Sequence, residues 1–439
     1  GSGQIKAGTS SIEELMFDGT QAEATIKATG MAGITTLTFS GQNATNAINI
    51  SGLDSTARTI NSILESTSAV TQSYSAGSDL TVNLNVDPTW VAATTKRDND
   101  FVLSAKNSGS VTLNVGQYVI SAGTHTFANA TGLTINVDTT GHFGGTVRAD
   151  KAGTISVDGG ADIDATVSGL AATTFTFNVG SGTITYGSTA VTTVSLTNSG
   201  SVAIAAATRT SSVETITVDT QSLADFELIG TTSLTTLQMS GAGSLAAGKI
   251  GNHSGVSNDL TISLTGMDAG FSAKTITKIS SDLTIAASNS TGFLDFDAIT
   301  ASGLTVTTGS IQSFRASALN VEKFTFDGAA ATSTSNSANV GLGFVTASST
   351  ITISLGAGTG IISAAGLHTL GAVTLDGSNY DGTVNIPNIS GSGVTISLGT
   401  SGFFSASVIQ SNKALTIDGS DSASSGVSLG MVEASTDLT

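Results

Sequence analysis

A short pattern recurs along the chain, in which two apolar residues flank one polar residue and a turn-forming residue follows. The polar residue between the apolar positions is most often Thr, Ser or Asn. Because side chains alternate between the two faces of a strand, the pattern predicts short strands with one apolar face and one wet face. Taking one apolar residue of each copy as its centre gives Leu113, Ile135, Ile155, Phe177, Val194, Ile216, Leu237, Ile262, Ile285, Val306, Phe324, Ile353, Val373, Ile396 and Leu415.

These centres are separated by about 22 residues on average, although the choice between adjacent apolar positions shifts individual steps. Upstream, Leu15 and Leu37 are similarly spaced, and Leu84 resumes the pattern. A period of about 21 residues is too short for a strand-helix-strand unit and fits one coil of a solenoid. We therefore predict an all-β fold, a parallel β-solenoid (β-helix) with coils of about 21 residues. A string of β-sandwiches is the alternative.

One interruption near the N-terminus has a different spacing. Leu53, Ala57, Ile60 and Leu64 recur at helical intervals, which predicts one short amphipathic helix near residues 53–66. A polar loop is the alternative for this segment.

The interruption also suggests how the chain is organised. We expect residues 1–100 to form an N-terminal solenoid part that contains the helical insertion. Residues 101–439 would form the main solenoid, which could be continuous with the first part.

Composition narrows the functional classes. The chain has 439 residues, of which 39% are hydrophobic, and it contains no Cys. A disulfide framework and thiolate metal sites are therefore excluded. The net charge of −17 lacks the basic surface that phosphate binding requires, so we expect no nucleic-acid partner. Because no run of about 18 apolar residues occurs, we expect no membrane insertion.

Acidic residues close many of the strand patterns. In a solenoid such corners stack, and neighbouring carboxylates repel unless a hard cation lies between them. The set therefore predicts bound Ca²⁺, although any single Asp-Gly pair is also an ordinary turn. The strand patterns that end in Asp are those at Asp18, Asp87, Asp138, Asp158, Asp219, Asp327, Asp376 and Asp418.

The best single candidate for a metal site is the segment 159–164, Gly-Gly-Ala-Asp-Ile-Asp, which follows Asp158. It is one imperfect copy of the calcium-binding nonapeptide, with Asp where Gly is expected, and a tandem array is absent. Three further acidic clusters are candidate loop sites, and solvated turn chemistry explains each of them equally well. Together the predicted calcium ligands are Asp158, Asp162, Asp164, Asp98, Asp100, Asp376, Asp381, Asp418 and Asp421.

A rival chemistry comes from Asp295 and Asp297, which are two residues apart and so lie on one strand face. Paired carboxylates can serve as acid and base in glycoside cleavage. Against this, the chain has few basic residues to hold acidic sugars and a single Trp, Trp90, for stacking on a sugar ring. We therefore expect no catalytic residues and no enzyme.

One sequence phrase resembles a known family. Residues 213–218, Val-Glu-Thr-Ile-Thr-Val, are similar to a phrase that recurs in bacterial surface-layer (S-layer) proteins of the type I-secreted, calcium-binding, RTX-like class, and looser copies begin at Ile12 and Val321. The acidic, Cys-free composition rich in Thr, Ser, Gly and Ala is similar over the whole chain. The resemblance implies a solenoid lattice protein that is exported unfolded and that folds and crystallises on the cell surface with Ca²⁺.

Taken together, these features favour a structural protein over an enzyme. We expect the lattice-forming region of an extracellular bacterial surface layer, secreted to the cell surface and capable of calcium-dependent self-assembly. Its main partner would be itself, in a two-dimensional lattice, and attachment to cell-surface polysaccharide would use regions outside this sequence. The alternative is a large β-solenoid adhesin or autotransporter-type passenger, and a polysaccharide-cleaving β-helix enzyme is less favoured.

Overall fold

A computed structural model gives the structure of the chain over most of its length. It describes residues 13–17, 24–27, 33–42, 48–53, 58–64, 71–76, 78–86, 97–99, 102–105, 109–121, 123–159, 163–188, 190–206, 213–227, 233–251, 258–278, 281–309, 311–328, 339–399, 402–419 and 426–439. Within these ranges the regular structure is entirely β and no helix is present. The described residues therefore include no helix that could cross a membrane.

The strands stack in parallel as a β-solenoid of about 14 turns with a spacing of about 22 residues, which confirms the predicted fold class. The chain divides into two compact units, Gly1–Ser212 and Val213–Thr439. The change of character near residue 100 that the sequence suggested stays a prediction.

Unit 1 contains twenty described strands. They are β1 (Glu14–Phe17), β2 (Ala24–Lys27), β3 (Thr36–Gln42), β4 (Ile48–Leu53), β5 (Arg58–Leu64), β6 (Thr71–Ala76), β7 (Leu80–Val86), β8 (Arg97–Asn99), β9 (Val102–Ala105), β10 (Ser110–Val115), β11 (Val119–Ser121), β12 (Thr124–Thr126), β13 (Gly132–Val137), β14 (His142–Arg148), β15 (Thr154–Gly159), β16 (Ile163–Ser168), β17 (Thr174–Val179), β18 (Gly182–Gly187), β19 (Thr193–Asn198) and β20 (Val202–Ala206).

Unit 2 contains eighteen described strands, three of which run for fifteen or sixteen residues along two sides of a coil. They are β21 (Thr215–Thr220), β22 (Leu223–Glu227), β23 (Thr236–Ser240), β24 (Ser244–Gly251), β25 (Leu260–Thr265), β26 (Gly270–Lys278), β27 (Leu283–Asn289), β28 (Phe293–Thr308), β29 (Ser313–Asp327), β30 (Asn339–Ser354), β31 (Ile361–Thr369), β32 (Ala372–Gly377), β33 (Thr383–Asn385), β34 (Asn388–Gly391), β35 (Gly393–Leu398), β36 (Phe403–Ser411), β37 (Leu415–Asp418) and β38 (Val427–Ala434).

The alternation along β13 illustrates how the sequence forms a coil. Leu133, Ile135 and Val137 are buried, whereas Thr134 and Asn136 point outward and are half-buried. Parallel pairing places each apolar residue of β13 beside an apolar residue of β10 and of β15. Because inward side chains meet only those of adjacent coils, the core consists of columns of stacked apolar residues.

One such column runs through each unit. Its members in unit 1 are Leu15, Leu37, Ile60, Val82, Leu113, Ile135, Val157, Phe177 and Leu196. Its members in unit 2 are Ile216, Leu237, Ile262, Ile285, Val306, Phe326, Ile353, Leu375, Ile396 and Ile417.

The helix predicted near residues 53–66 is wrong. Residues 58–64 form β5, which pairs in parallel with β3 and β7, and residues 54–57, 65 and 66 lie outside the described residues. Arg58, Ile60 and Ser62 are the buried residues of β5. The alternation of a strand is therefore present, but Arg and Ser occupy two of its inward positions, so counting apolar residues alone gave a helical interval.

Aromatic residues fill the widest parts of both cores. In unit 2 the rings of Phe271, Phe296, Phe314 and Phe326 follow one another with centroid separations of 5.6, 5.8 and 5.6 Å. In unit 1 the fully buried ring of His125 stacks on Phe143 with centroids 5.3 Å apart. Burial lowers the pKa of His125 to about 4, because an apolar interior disfavours the charged imidazolium.

This buried histidine predicts a loss of stability in acid. Below its ordinary pKa of 6.5 the unfolded chain binds a proton that the folded chain refuses until about pH 4. The free energy of unfolding should therefore fall by about 3 kcal/mol between pH 7 and pH 4 through this group, and no further below that. His125→Phe, which preserves the stacking on Phe143, should lose this part of the pH dependence in urea titrations. An unchanged pH dependence in the variant would contradict the assignment.

Candidate functional surfaces

An amide ladder crosses the outer face of unit 1. The ladder is the column Thr38, Asn61, Asn83, Asn114 and Asn136, whose members are neighbours in adjacent parallel strands. Each Asn donates its Nδ2 to the preceding residue of the column, at 3.2, 2.8, 2.6 and 2.7 Å in that order. The side chains thus repeat the direction and spacing of the backbone ladder beneath them, which holds neighbouring coils in register.

The ladder changes direction at Asp158, the next member of the column. The carboxylate accepts from Asn178 Nδ2 at 3.2 Å on its far side. On its near side an ionised carboxylate has no proton to donate to the amide oxygen of Asn136. Asp158 therefore joins two ladder segments as an acceptor from one side only.

An open groove of about 320 Å³ lies beside the ladder, lined by Asn83, Asn85, Asn114 and Asp138 among others. Gly116 forms its floor, since a Cβ at that position would lie 2.6 Å from Asn85 Oδ1. The Asp138 carboxylate accepts from the backbone N–H of Thr140 at 3.2 Å and so closes a turn. The groove is shallow, polar and rich in amide groups.

The ladder yields a stability prediction. Asn114→Ala removes two half-buried side-chain hydrogen bonds and should lower the free energy of unfolding by about 1–2 kcal/mol, visible as a lower urea midpoint. Thr112→Ala, on the same strand and face but outside the ladder, is the matched control and should cost clearly less. Equal effects of the two substitutions would mean that the ladder adds nothing to ordinary surface polarity.

The predicted calcium ligands of unit 1 are spread over its surface. Asp158 and Asp164 are exposed, and Asp164 accepts from the backbone N–H of Thr183 in the next coil at 3.0 Å. Gly159 has φ +86°, a left-handed conformation, so the Asp158-Gly159 pair performs the turn role that the sequence allowed. The backbone of Asp98 lies in β8, but its side chain lies outside the described residues. Three other predicted ligands lie outside the described residues altogether, namely Asp100, Asp162 and Asp421.

In unit 2 the acidic strand ends fall in one column. Parallel register aligns Thr307, Asp327, Ser354, Asp376, Ser397 and Asp418 on successive coils. Carboxylates therefore occupy alternate coils, with a serine between each pair and strand separations of roughly 9–10 Å from one Asp to the next. The spacing reduces repulsion between like charges while concentrating negative charge along one line of the surface.

The individual carboxylates of this acidic column have local roles as well. Asp376 accepts from the backbone N–H of Ser378 at 3.1 Å and from its hydroxyl at 2.8 Å, which forms a tight turn. Asp381, its predicted companion, is exposed, and its backbone N–H bonds to Gly358 at 2.9 Å. No group of three metal-ligating side chains is formed by the described part of the chain. Calcium binding by these residues stays a prediction.

Asp295 and Asp297 do share an exposed strand face, with Phe296 buried between them. They line an open groove of about 330 Å³ together with Asp225 and Lys274. Small residues such as Ala246 and Ser272 lie between Asp225 and Asp295 in the same column and leave the groove shallow. The groove is acidic and solvent-filled.

No protein-family model matches this chain, and searches of curated proteins and of solved structures found no significant match. Function is therefore inferred from the surfaces described above.

The sequence contained a signal for the amide ladder that the acidic residues obscured. Asn61, Asn83, Asn114 and Asn136 all occupy the polar position between two apolar or buried residues of the strand pattern. Aligning the copies by period would have brought these amides together. The alternation of Asp with Ser in unit 2 was harder to see, because it depends on the exact length of every coil between residues 327 and 418.

Proposed function

We propose that this chain is a structural protein, the lattice-forming region of an extracellular bacterial surface layer that assembles on the cell surface with Ca²⁺. The observation that carries the proposal is the acidic column of unit 2, in which Asp327, Asp376 and Asp418 repeat on alternate coils. A regular line of carboxylates suits repeated contacts with identical neighbours better than it suits a single soluble ligand.

Charge gives calcium its role in this proposal. A net charge of −17 makes copies of the chain repel one another. Divalent cations held between carboxylates of adjacent copies would remove that repulsion and add oxygen ligation. Extracellular calcium sites typically bind at roughly 10⁻⁴ to 10⁻³ M, so assembly would be confined to the outside of the cell.

The described surfaces also support a structural role over an enzymatic one. The two grooves that carry carboxylates, beside Gly116 and beside Asp295, are both open and shallow. An active site usually excludes water around its reacting groups, and neither groove encloses a substrate.

Electron microscopy of the purified chain tests the proposal directly. We expect ordered two-dimensional sheets in millimolar CaCl₂ and dispersed particles in excess EDTA. Sheets under both conditions would contradict the calcium requirement and retain the lattice. Dispersed particles under both conditions would contradict the lattice and favour the adhesin or autotransporter-type passenger.

Substitutions in the acidic column test the mechanism. The double variant Asp376→Asn and Asp418→Asn keeps side-chain size while removing two of the stacked carboxylates, so the calcium concentration needed for half-maximal assembly should rise several-fold. A matched control replaces Asp295 and Asp297 by Asn, which removes the same charge from another exposed face of unit 2. Equal shifts in light-scattering titrations would mean that net charge alone controls assembly.

A further inference from the structure

The C-terminal strand of unit 2 has one unpaired edge. β38 pairs in parallel with β36, and Leu438 bridges to Leu415; these are the pairings of this coil among the described residues. The other edge of β38 therefore presents backbone N–H and C=O groups without a neighbouring strand in the described part of the chain.

The apolar core is open at the same end. Three core columns finish at Val427, Leu429 and Leu438, which are 44%, 39% and 65% exposed. The preceding members of these columns are Phe404, Ala406 and Leu415, which are at most 3% exposed. Inward positions of the last described coil thus lie at the surface, and Met431 adds a further half-exposed apolar side chain.

This edge lacks the devices that usually protect an exposed strand. β38 runs for eight residues and contains no Pro, Lys or Arg. Short length, charged side chains and proline are the common means by which proteins block edge pairing. An exposed strand of this length with alternating apolar residues is a template for another strand.

The chemistry of the edge specifies its occupant. Each pairing listed above is parallel, so the continuing partner is a parallel strand with apolar residues at alternate positions. The first described coil of unit 1 offers such a strand. β1 pairs with β3 and with no other described strand, and its column residues Leu15 and Phe17 remain half-buried while Met16 is exposed.

We propose that copies of this chain associate head to tail, with the β1 edge of one copy seated on the β38 edge of the next. This inference deepens the proposed self-assembly and rests on it for the choice of a second copy as the partner. Such a contact is heterologous, because two different surfaces meet, and it generates open filaments unless a rotation closes a ring.

Both edges carry negative charge, which sets the conditions for the contact. Glu13 and Glu14 are exposed beside Leu15, and Glu433 and Asp437 are exposed on the last coil. Repulsion between these carboxylates weakens as ionic strength rises, so the association constant should increase with added NaCl and further with CaCl₂.

Light scattering on the full chain tests the proposal. We expect the mean mass of the wild type to rise with concentration through multiples of 43.4 kDa. The double variant Val427→Lys and Leu429→Lys should weaken association by at least about ten-fold, because it places two charges on the edge. Leu370→Lys is the matched control, since Leu370 is 82% exposed in unit 2 but lies between β31 and β32, away from this edge. Circular dichroism and thermal unfolding should establish that both variants fold like the wild type.

A mixing experiment tests the direction of the contact. The Lys variant retains the β1 edge, so small amounts of it should join the ends of wild-type assemblies and shorten them. Wild-type assembly that stops at dimers would overturn the head-to-tail contact in favour of tail-to-tail pairing. A wild type that stays at one chain under all salt and calcium conditions, or a Lys variant that assembles like the wild type, would also overturn it.

The outcomes separate this contact from the lattice proposal. Sheets formed equally well by the Lys variant would retain the surface layer and reject this edge as its contact. Filaments without sheets, abolished in the Lys variant, would retain the contact and reject the surface layer.

Discussion

The whole structure depends on one constraint: each coil buries its apolar side chains only against the coils above and below it. Parallel pairing satisfies the backbone, and the apolar columns fix which residue lies beside which, as for Leu37, Ile60 and Val82. A slip of one residue would turn each of these side chains to the solvent, so the apolar columns and the backbone ladder enforce the same register. Coil length can vary in the turns because the strands alone carry this requirement.

The outer face inherits the register that the core imposes. Once Leu113 and Ile135 are stacked, Asn114 and Asn136 are necessarily neighbours, and their amides bond at 2.7 Å. The same logic places Asp376 two coils from Asp327, with Ser354 between them. Surface chemistry on a solenoid is therefore periodic whether or not it is functional, and a functional assignment must rest on what a column contains. In this chain one column is an amide ladder that needs no ligand, and another repeats carboxylates that remain exposed.

The fold was predictable because alternation and period are properties of the local sequence. Errors arose where inward positions are polar, as at Arg58 and Ser62, and where two apolar positions compete as centres. Ile155 and Val194, for example, stack in the column beside the one that contains Val157 and Leu196. The predicted calcium clusters were less accessible, because the contacts of a carboxylate depend on coil lengths and turns far away in sequence. The hydrogen bonds from Ser378 to Asp376 and from Thr183 to Asp164 show turn and inter-coil roles that sequence spacing alone could not separate from metal ligation.

Two kinds of surface are needed for a sheet of identical molecules, and a solenoid supplies them in different ways. Translation along the stacking direction never closes, so a coil end with exposed core residues such as Val427 and Leu429 continues to offer strand pairing. Contacts in the second direction must come from the outer faces, where the columns run along the stack. A line of carboxylates at alternate coils, as in unit 2, cannot pair with an identical line without a cation between them. Edge pairing and cation bridging would thus act along different directions, the first driven by apolar burial and backbone hydrogen bonds and the second by charge.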